Sequence, residues 1–167
     1  HFAIDLARKV GLAGLIGIDF ILPRTSKQRR EQSPVVLEVN PRPTATMELL
    51  ERCTGRSQAG MHLASLGVPL LRESIALQDG SKMYWGKAVL FANETLTVSA
   101  SVEHHLVRCT SCLQGRESGW PMVTDLPCSG TVIRPGHPVV SVFGVAESPR
   151  LVLRMLRINI SKVMQGL

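Results

Sequence analysis

Two short apolar runs, each carrying a carboxylate that it cannot bury cheaply, constrain this chain more than any other feature. Val35-Val36-Leu37 opens the second run, and its apolar, β-branched residues suit a strand. Pro41 stops further ladder pairing there, because it has no N–H to donate. Side chains alternate across a strand, so Glu38 and Asn40 should share one face while Leu37 and Val39 point into the core. The first run, Leu15-Ile16-Gly17-Ile18-Asp19-Phe20-Ile21-Leu22, reads as another buried strand with a single charge. An unpaired carboxylate in such surroundings is costly, so Asp19 should face a metal, a cation or the edge of the core.

The residues from Pro23 to Pro34 include Arg24, Lys27, Arg29, Arg30 and Glu31, and read as a solvated connection between antiparallel neighbours. If the two strands are adjacent, Asp19 sits beside Glu38 and Asn40. Three hard oxygen donors on one face suit magnesium, with water and phosphate oxygens completing the shell. Arg42 follows the strand at once, where its two-pronged guanidinium can reach a phosphate or a carboxylate. Taken alone, these residues leave a plainer reading open: an ordinary hairpin whose Asp19 and Glu38 pair with nearby arginines.

The order Gly17-Ile18-Asp19-Phe20-Ile21-Leu22, a basic loop, then Val36-Leu37-Glu38-Val39-Asn40-Pro41-Arg42-Pro43-Thr44 resembles the metal-binding end of the ATP-grasp superfamily. The similarity is closest to the branch of carboxylate–amine ligases related to carbamoyl-phosphate synthetase, and it runs over about residues 3 to 70. It implies that Asp19, Glu38 and Asn40 hold magnesium ions bridging ATP phosphates, and that Arg42 contacts phosphate or an acyl-phosphate intermediate. The stretch from Asp125-Leu126-Pro127-Cys128-Ser129-Gly130-Thr131 to Pro138 is similar to the C-terminal tail of one ATP-grasp subgroup.

The fold class implied is α+β. Residues 1–75 would form the C-terminal part of an ATP-grasp catalytic lobe, an antiparallel sheet backed by helices. Residues 76–167 would form a small β-rich subdomain closed by a C-terminal helix. The implied activity is an ATP- and Mg2+-dependent ligase joining a carboxylate to an amine through an acyl phosphate. The lobe with the adenine pocket and phosphate-binding lysine is expected upstream. The chain, which begins at His1, is therefore expected to be the C-terminal portion of a longer ligase and inactive alone. Its expected partners are ATP, small carboxylate and amine substrates and that N-terminal lobe, with a homo-oligomer left open. The alternative is a non-catalytic, ATP-grasp-derived binding or regulatory module whose β-rich part holds a partner.

Composition narrows the field. A chain of 167 residues, 44% hydrophobic and 19% charged, can build one core or two small ones. Its apolar runs are strand-sized and broken by glycine, so no transmembrane helix or signal peptide is expected, and the expected location is cytoplasmic. A net charge of +6 and a pI near 9.6 invite a nucleic-acid role. The positive residues are scattered, however, between Arg24–Arg30 and the last helix, where Arg150, Arg154 and Arg157 lie. Aromatics make up only 4%, so few platforms exist for stacking bases. A solvated basic face is expected, with no nucleic-acid partner.

Cys109-Thr110-Ser111-Cys112 forms a C-x-x-C pair, with Cys128, His104, His105 and His137 at moderate separations. Zinc needs four converging ligands, for example Cys109, Cys112, Cys128 and one histidine, and a single C-x-x-C does not supply them. Incidental thiols in a reducing compartment fit, with Cys128 as a small buried residue, and zinc stays open.

Local signals place the elements around these motifs. His1 to Val10 reads as a helix with Phe2, Leu6 and Val10 on its apolar stripe, ended by Gly11. Thr44 or Thr46 should cap a helix running through Arg52, with Gly55 past its close and its N-terminus toward the phosphates. Met61 to Leu66 suggests a short helix in which His62 is a hydrogen-bonded residue beside the core or a ligand contact. Met47, Leu50 and Leu63 read as core contacts. Strands are expected over 82–92 and 96–99, and a hairpin should pair 130–133 with 138–145 through Arg134-Pro135-Gly136-His137. Ser148-Pro149 should open a final helix packed on a sheet through Leu151, Leu153, Met155, Leu156, Ile158, Val163 and Met164.

Overall fold

The computed structural model describes residues 2–22, 34–69, 83–113 and 119–167. The chain divides into two compact units, His1–Gln78 and Asp79–Leu167. The expected basic connection at Arg24–Glu31, the expected boundary at 75/76 and the start of the strand expected from Lys82 lie outside the described residues.

The first unit contains α1 (Phe2–Val10), β1 (Gly17–Ile21), β2 (Val35–Asn40), α2 (Ala45–Thr54) and α3 (Gln58–Ser65). α1 closes as expected at Gly11, where the Leu12 N–H donates to the Ala7 carbonyl at 2.9 Å. Its stripe is narrower than expected: Leu6 is half-buried, but Val10 is exposed. Thr44 takes the extended conformation that caps α2, and its N–H donates to Met47 Sδ at 3.4 Å. Gly55 closes α2 at φ +65°, a left-handed conformation that suits glycine, and donates to the Glu51 carbonyl at 2.7 Å. Ser57 Oγ accepts from the Gly60 N–H at 3.1 Å, so α3 begins three residues before the expected Met61.

β1 and β2 pair antiparallel as a two-stranded sheet. The expectation that both strands are buried is not met: Phe20, Ile21, Leu22 and Val35 are exposed, and Leu37, expected in the core, is 62% exposed. Leu50 and Leu63 are exposed as well, leaving Met47 as the half-buried member of that expected trio. The physical reason is size. Two strands and three short helices cannot cover both faces of a hairpin, and among the described residues of this unit no apolar side chain is fully buried.

The second unit contains β3 (Tyr84–Phe91), β4 (Leu96–Thr97), α4 (Ala100–Cys112), β5 (Val123–Thr124), β6 (Val132–Ile133), β7 (Pro138–Ala146) and α5 (Pro149–Met164). β7 is the centre of an antiparallel sheet ordered β3-β7-β5, and β4 pairs with β6. This corrects the expected hairpin between 130–133 and 138–145. β7 gives both of its edges to β3 and β5, so Val132 and Ile133 pair instead with Thr97 and Leu96. The connector still ties the strands together, since the Ala92 N–H donates to the His137 carbonyl at 2.9 Å and the Gly136 N–H to the Ala92 carbonyl at 2.8 Å.

α5 opens as expected, with Ser148 Oγ accepting from the Leu151 N–H at 3.3 Å and Pro149 at the first helical position. Its buried face is Val152, Leu156, Asn159 and Val163, whereas Leu151, Leu153 and Met164 are exposed. The helix sits on the glycine pair Gly86 and Gly144, which are register partners in β3 and β7. A Cβ on Gly144 would lie 3.0 Å from Leu156 N and 3.1 Å from the Val152 carbonyl oxygen. Asn159, fully buried, donates from Nδ2 to the Phe143 carbonyl at 2.9 Å. His105 on α4 meets the last turn of α5, its Nε2 lying 3.1 Å from the Lys162 carbonyl and 3.2 Å from that of Val163. Leu106, Met122, Val123, Val140, Val142 and Phe143 complete the core.

Cys109 and Cys112 close α4, and Cys109 Sγ lies 3.6 Å from His105 Nε2. Burial pushes the Cys109 thiol above its ordinary range, with neighbouring Cys112 adding to the rise and the Arg108 and Lys162 charges opposing it. Cys128, expected to be buried, is exposed, and among the described residues no three His, Cys, Asp or Glu side chains are grouped to hold a metal. Burial and a raised pKa both hold back the reaction of Cys109 as a thiolate. Iodoacetamide at pH 8 should therefore alkylate Cys112 and Cys128 at least about tenfold faster than Cys109, read by peptide mass spectrometry. Equal rates would contradict this burial. Among the described residues no helix is long and apolar enough to cross a membrane.

Candidate functional site

The β1–β2 register sets the site. Asp19 stands directly opposite Glu38, and Gly17 opposite Asn40. Alternation then puts Asp19, Glu38 and Asn40 on one face. The register shifts after Asp19, so that Phe20 pairs with Val36 and Leu37 is left over as a bulge. The bulge accounts for the exposure of Leu37, because an extra residue turns one side chain away from its alternating place. No single-strand pattern could reveal it.

Within the face, Asn40 Nδ2 donates to Asp19 Oδ2 at a long 3.4 Å, as a diagonal cross-strand neighbour. Asp19 and Glu38 are exposed and Asn40 is half-buried. Like charges directly opposite each other destabilise a strand pair, and among the described residues neither Asp19 nor Glu38 has an ion-pair partner. A divalent cation between them would relieve that repulsion. Two carboxylates and an amide are also the donor chemistry that magnesium prefers, so the residues present fit the ion.

The N-terminus of α2 lies on the same face. A Cβ on Gly17 would fall 2.5 Å from Thr44 Cγ2 and 3.6 Å from Asn40 Cβ, so a larger residue would push the Thr44 methyl aside where the helix cap meets the strand. This positioning role was not read from the sequence, although a glycine two residues before the strand's only charge was a usable signal. The positive end of the helix dipole favours an anion there. Arg42 turns away from the carboxylates: its backbone N–H donates to the Asn40 carbonyl at 2.8 Å, and Nη1 to the Pro43 carbonyl at 3.3 Å. Its guanidinium is exposed beside the α2 cap. His62 has the hydrogen-bonded role, with Nδ1 accepting from the Leu15 N–H at 3.0 Å and fixing the segment that leads into β1.

The ATP-grasp domain family matches residues 1–46, a span that includes Asp19, Glu38, Asn40 and Arg42. No curated protein sequence matches the chain at a significant level. Among solved structures, the chain is similar to N5-carboxyaminoimidazole synthase from Aspergillus clavatus in complex with ADP and 5-aminoimidazole ribonucleotide. The TM-score is 0.53 at 15% identity, over 91% of this chain and 35% of that one. It is also similar to carboxyaminoimidazole ribonucleotide synthase from the same organism complexed with ATP. There the TM-score is 0.50 at 17% identity, over 99% of this chain and 39% of that one. The chain thus spans little more than a third of the length of either relative. The structural likeness carries the α+β fold, and the family match falls on the strands that bear the carboxylates. The family match is thus confined to the N-terminal 46 residues of the chain, and the solved structures share its fold.

Proposed function

We propose that this chain supplies the metal- and phosphate-binding face of an ATP- and Mg2+-dependent ligase that joins a carboxylate to an amine through an acyl phosphate. The observation that carries the reading is the placement of Asp19, Glu38 and Asn40 on one face of an antiparallel pair, beside the N-terminus of α2. Bound there, Mg2+ would neutralise charge on the phosphate oxygens during transfer.

Asp19 and Glu38 would supply the anionic oxygens, and Asn40 would orient Asp19 through its amide. Arg42, two residues after Asn40, would swing from the Pro43 carbonyl to hold the phosphoryl group or the acyl phosphate with its paired N–H donors.

A titration with Mn2+, a paramagnetic stand-in for Mg2+, tests the face itself. The amide resonances of Asp19, Glu38 and Asn40 should broaden first, and Asp19→Asn with Glu38→Gln should abolish the effect. Broadening centred elsewhere, or unchanged in that double variant, would overturn the assignment.

A further inference from the structure

The last helix carries a feature that the ligase reading leaves unused. Arg150, Arg154 and Arg157 recur at i, i+4 and i+7 of α5, so at 3.6 residues per turn they form one stripe. The stripe lies opposite the buried Val152, Leu156, Asn159 and Val163, and all three arginines are exposed. α5 contains no acidic residue, and among the described residues no carboxylate forms an ion pair with any of the three. Leu151 and Leu153, the latter 59% exposed, flank the stripe. Together the five residues line a shallow groove of about 620 Å3.

Three like charges within two helical turns repel one another, and nothing on the helix offsets them. We infer that this face docks an acidic, leucine-bearing segment of a protein partner. Guanidinium forks match carboxylates two bonds at a time, while Leu151 and Leu153 offer apolar surface that could exclude water from those pairs. A second copy of this chain is a poor occupant, because apposing two such helices sets arginine against arginine. A polynucleotide would engage the guanidiniums but leave the leucines wet, in a chain with only 4% aromatic residues for stacking.

The probe is a synthetic helical peptide with Glu at i, i+4 and i+7 and Leu at i+1 and i+3, tested by calorimetry against the full chain at low salt. The control is a scrambled peptide of the same composition. The patterned peptide should bind at least about tenfold more tightly than the scrambled one, and more weakly as salt rises. Arg154→Glu with Arg157→Glu should cost about tenfold or more, and Leu153→Ser a few fold. All three sites are exposed, and unchanged thermal melting would show that the fold is kept. Equal affinity for the scrambled peptide, displacement of the peptide by duplex DNA, or no binding at low salt would each overturn the proposal.

Discussion

Glu38→Ala is expected to reduce the proposed ATP-dependent turnover by about three orders of magnitude while leaving the fold unchanged. Glu38 is an exposed strand residue whose carboxylate contributes no buried packing, so its removal should barely move thermal stability. The loss would fall on transition-state charge. A metal ion at a phosphoryl group supplies several kcal/mol there, and each ~1.4 kcal/mol is a factor of ten in rate. Asp19→Ala should behave similarly, since Asp19 stands opposite Glu38 in the register. Asn40→Asp keeps an oxygen donor and should retain more activity than Asn40→Leu. Near-normal turnover in a folded Glu38→Ala protein would refute the ligase reading.

Gly144→Val carries the largest expected cost to stability. Gly144 pairs with Gly86, and the two leave room for α5 to lie against the sheet through Val152 and Leu156. A Cβ at Gly144 would meet Leu156 N at 3.0 Å and the Val152 carbonyl oxygen at 3.1 Å, and backbone atoms cannot move aside as a side-chain tip can. The branched side chain would lift the helix from β7, stretching the Asn159 hydrogen bond to the Phe143 carbonyl and exposing Val140 and Val142. Overpacking of this kind typically costs about 1–3 kcal/mol, and the lost hydrogen bond at a buried asparagine adds to it. At about 4–8 °C per kcal/mol for a small domain, the melting temperature should drop by roughly 10–25 °C. Ser161→Ala, on the exposed side of the same helix, should shift it by no more than about 2 °C. A Gly144→Val protein that melts with the wild type would show that the helix does not rest on this glycine pair.

How much was legible in the sequence depended on how local the cause was. Helix ends were legible, because a cap is decided by a few neighbouring residues: Gly11, Thr44, Gly55 and Ser148-Pro149 all lie where chain chemistry put them. Both strands of the candidate site were legible for the same reason, as apolar runs bounded by proline. The sequence made their pairing a condition, since a solvated basic connection suits antiparallel neighbours, and the register then set Asp19 opposite Glu38.

What the sequence by itself determined is therefore some of the elements and the chemistry each carries: two acid-bearing strands, a capped helix after the second, and a final helix with an apolar and a basic side, whereas α4 and β5 were not read from it. Only the tertiary structure decided which strand β6 would join, that Leu37 would bulge outward, that α5 would bury Asn159 rather than Leu153, and that Gly17 would admit the α2 cap. Each of these depends on a neighbour distant along the chain. Alternation and helical periodicity specify which residues share a face, but only the partner that arrives from elsewhere specifies which face is covered.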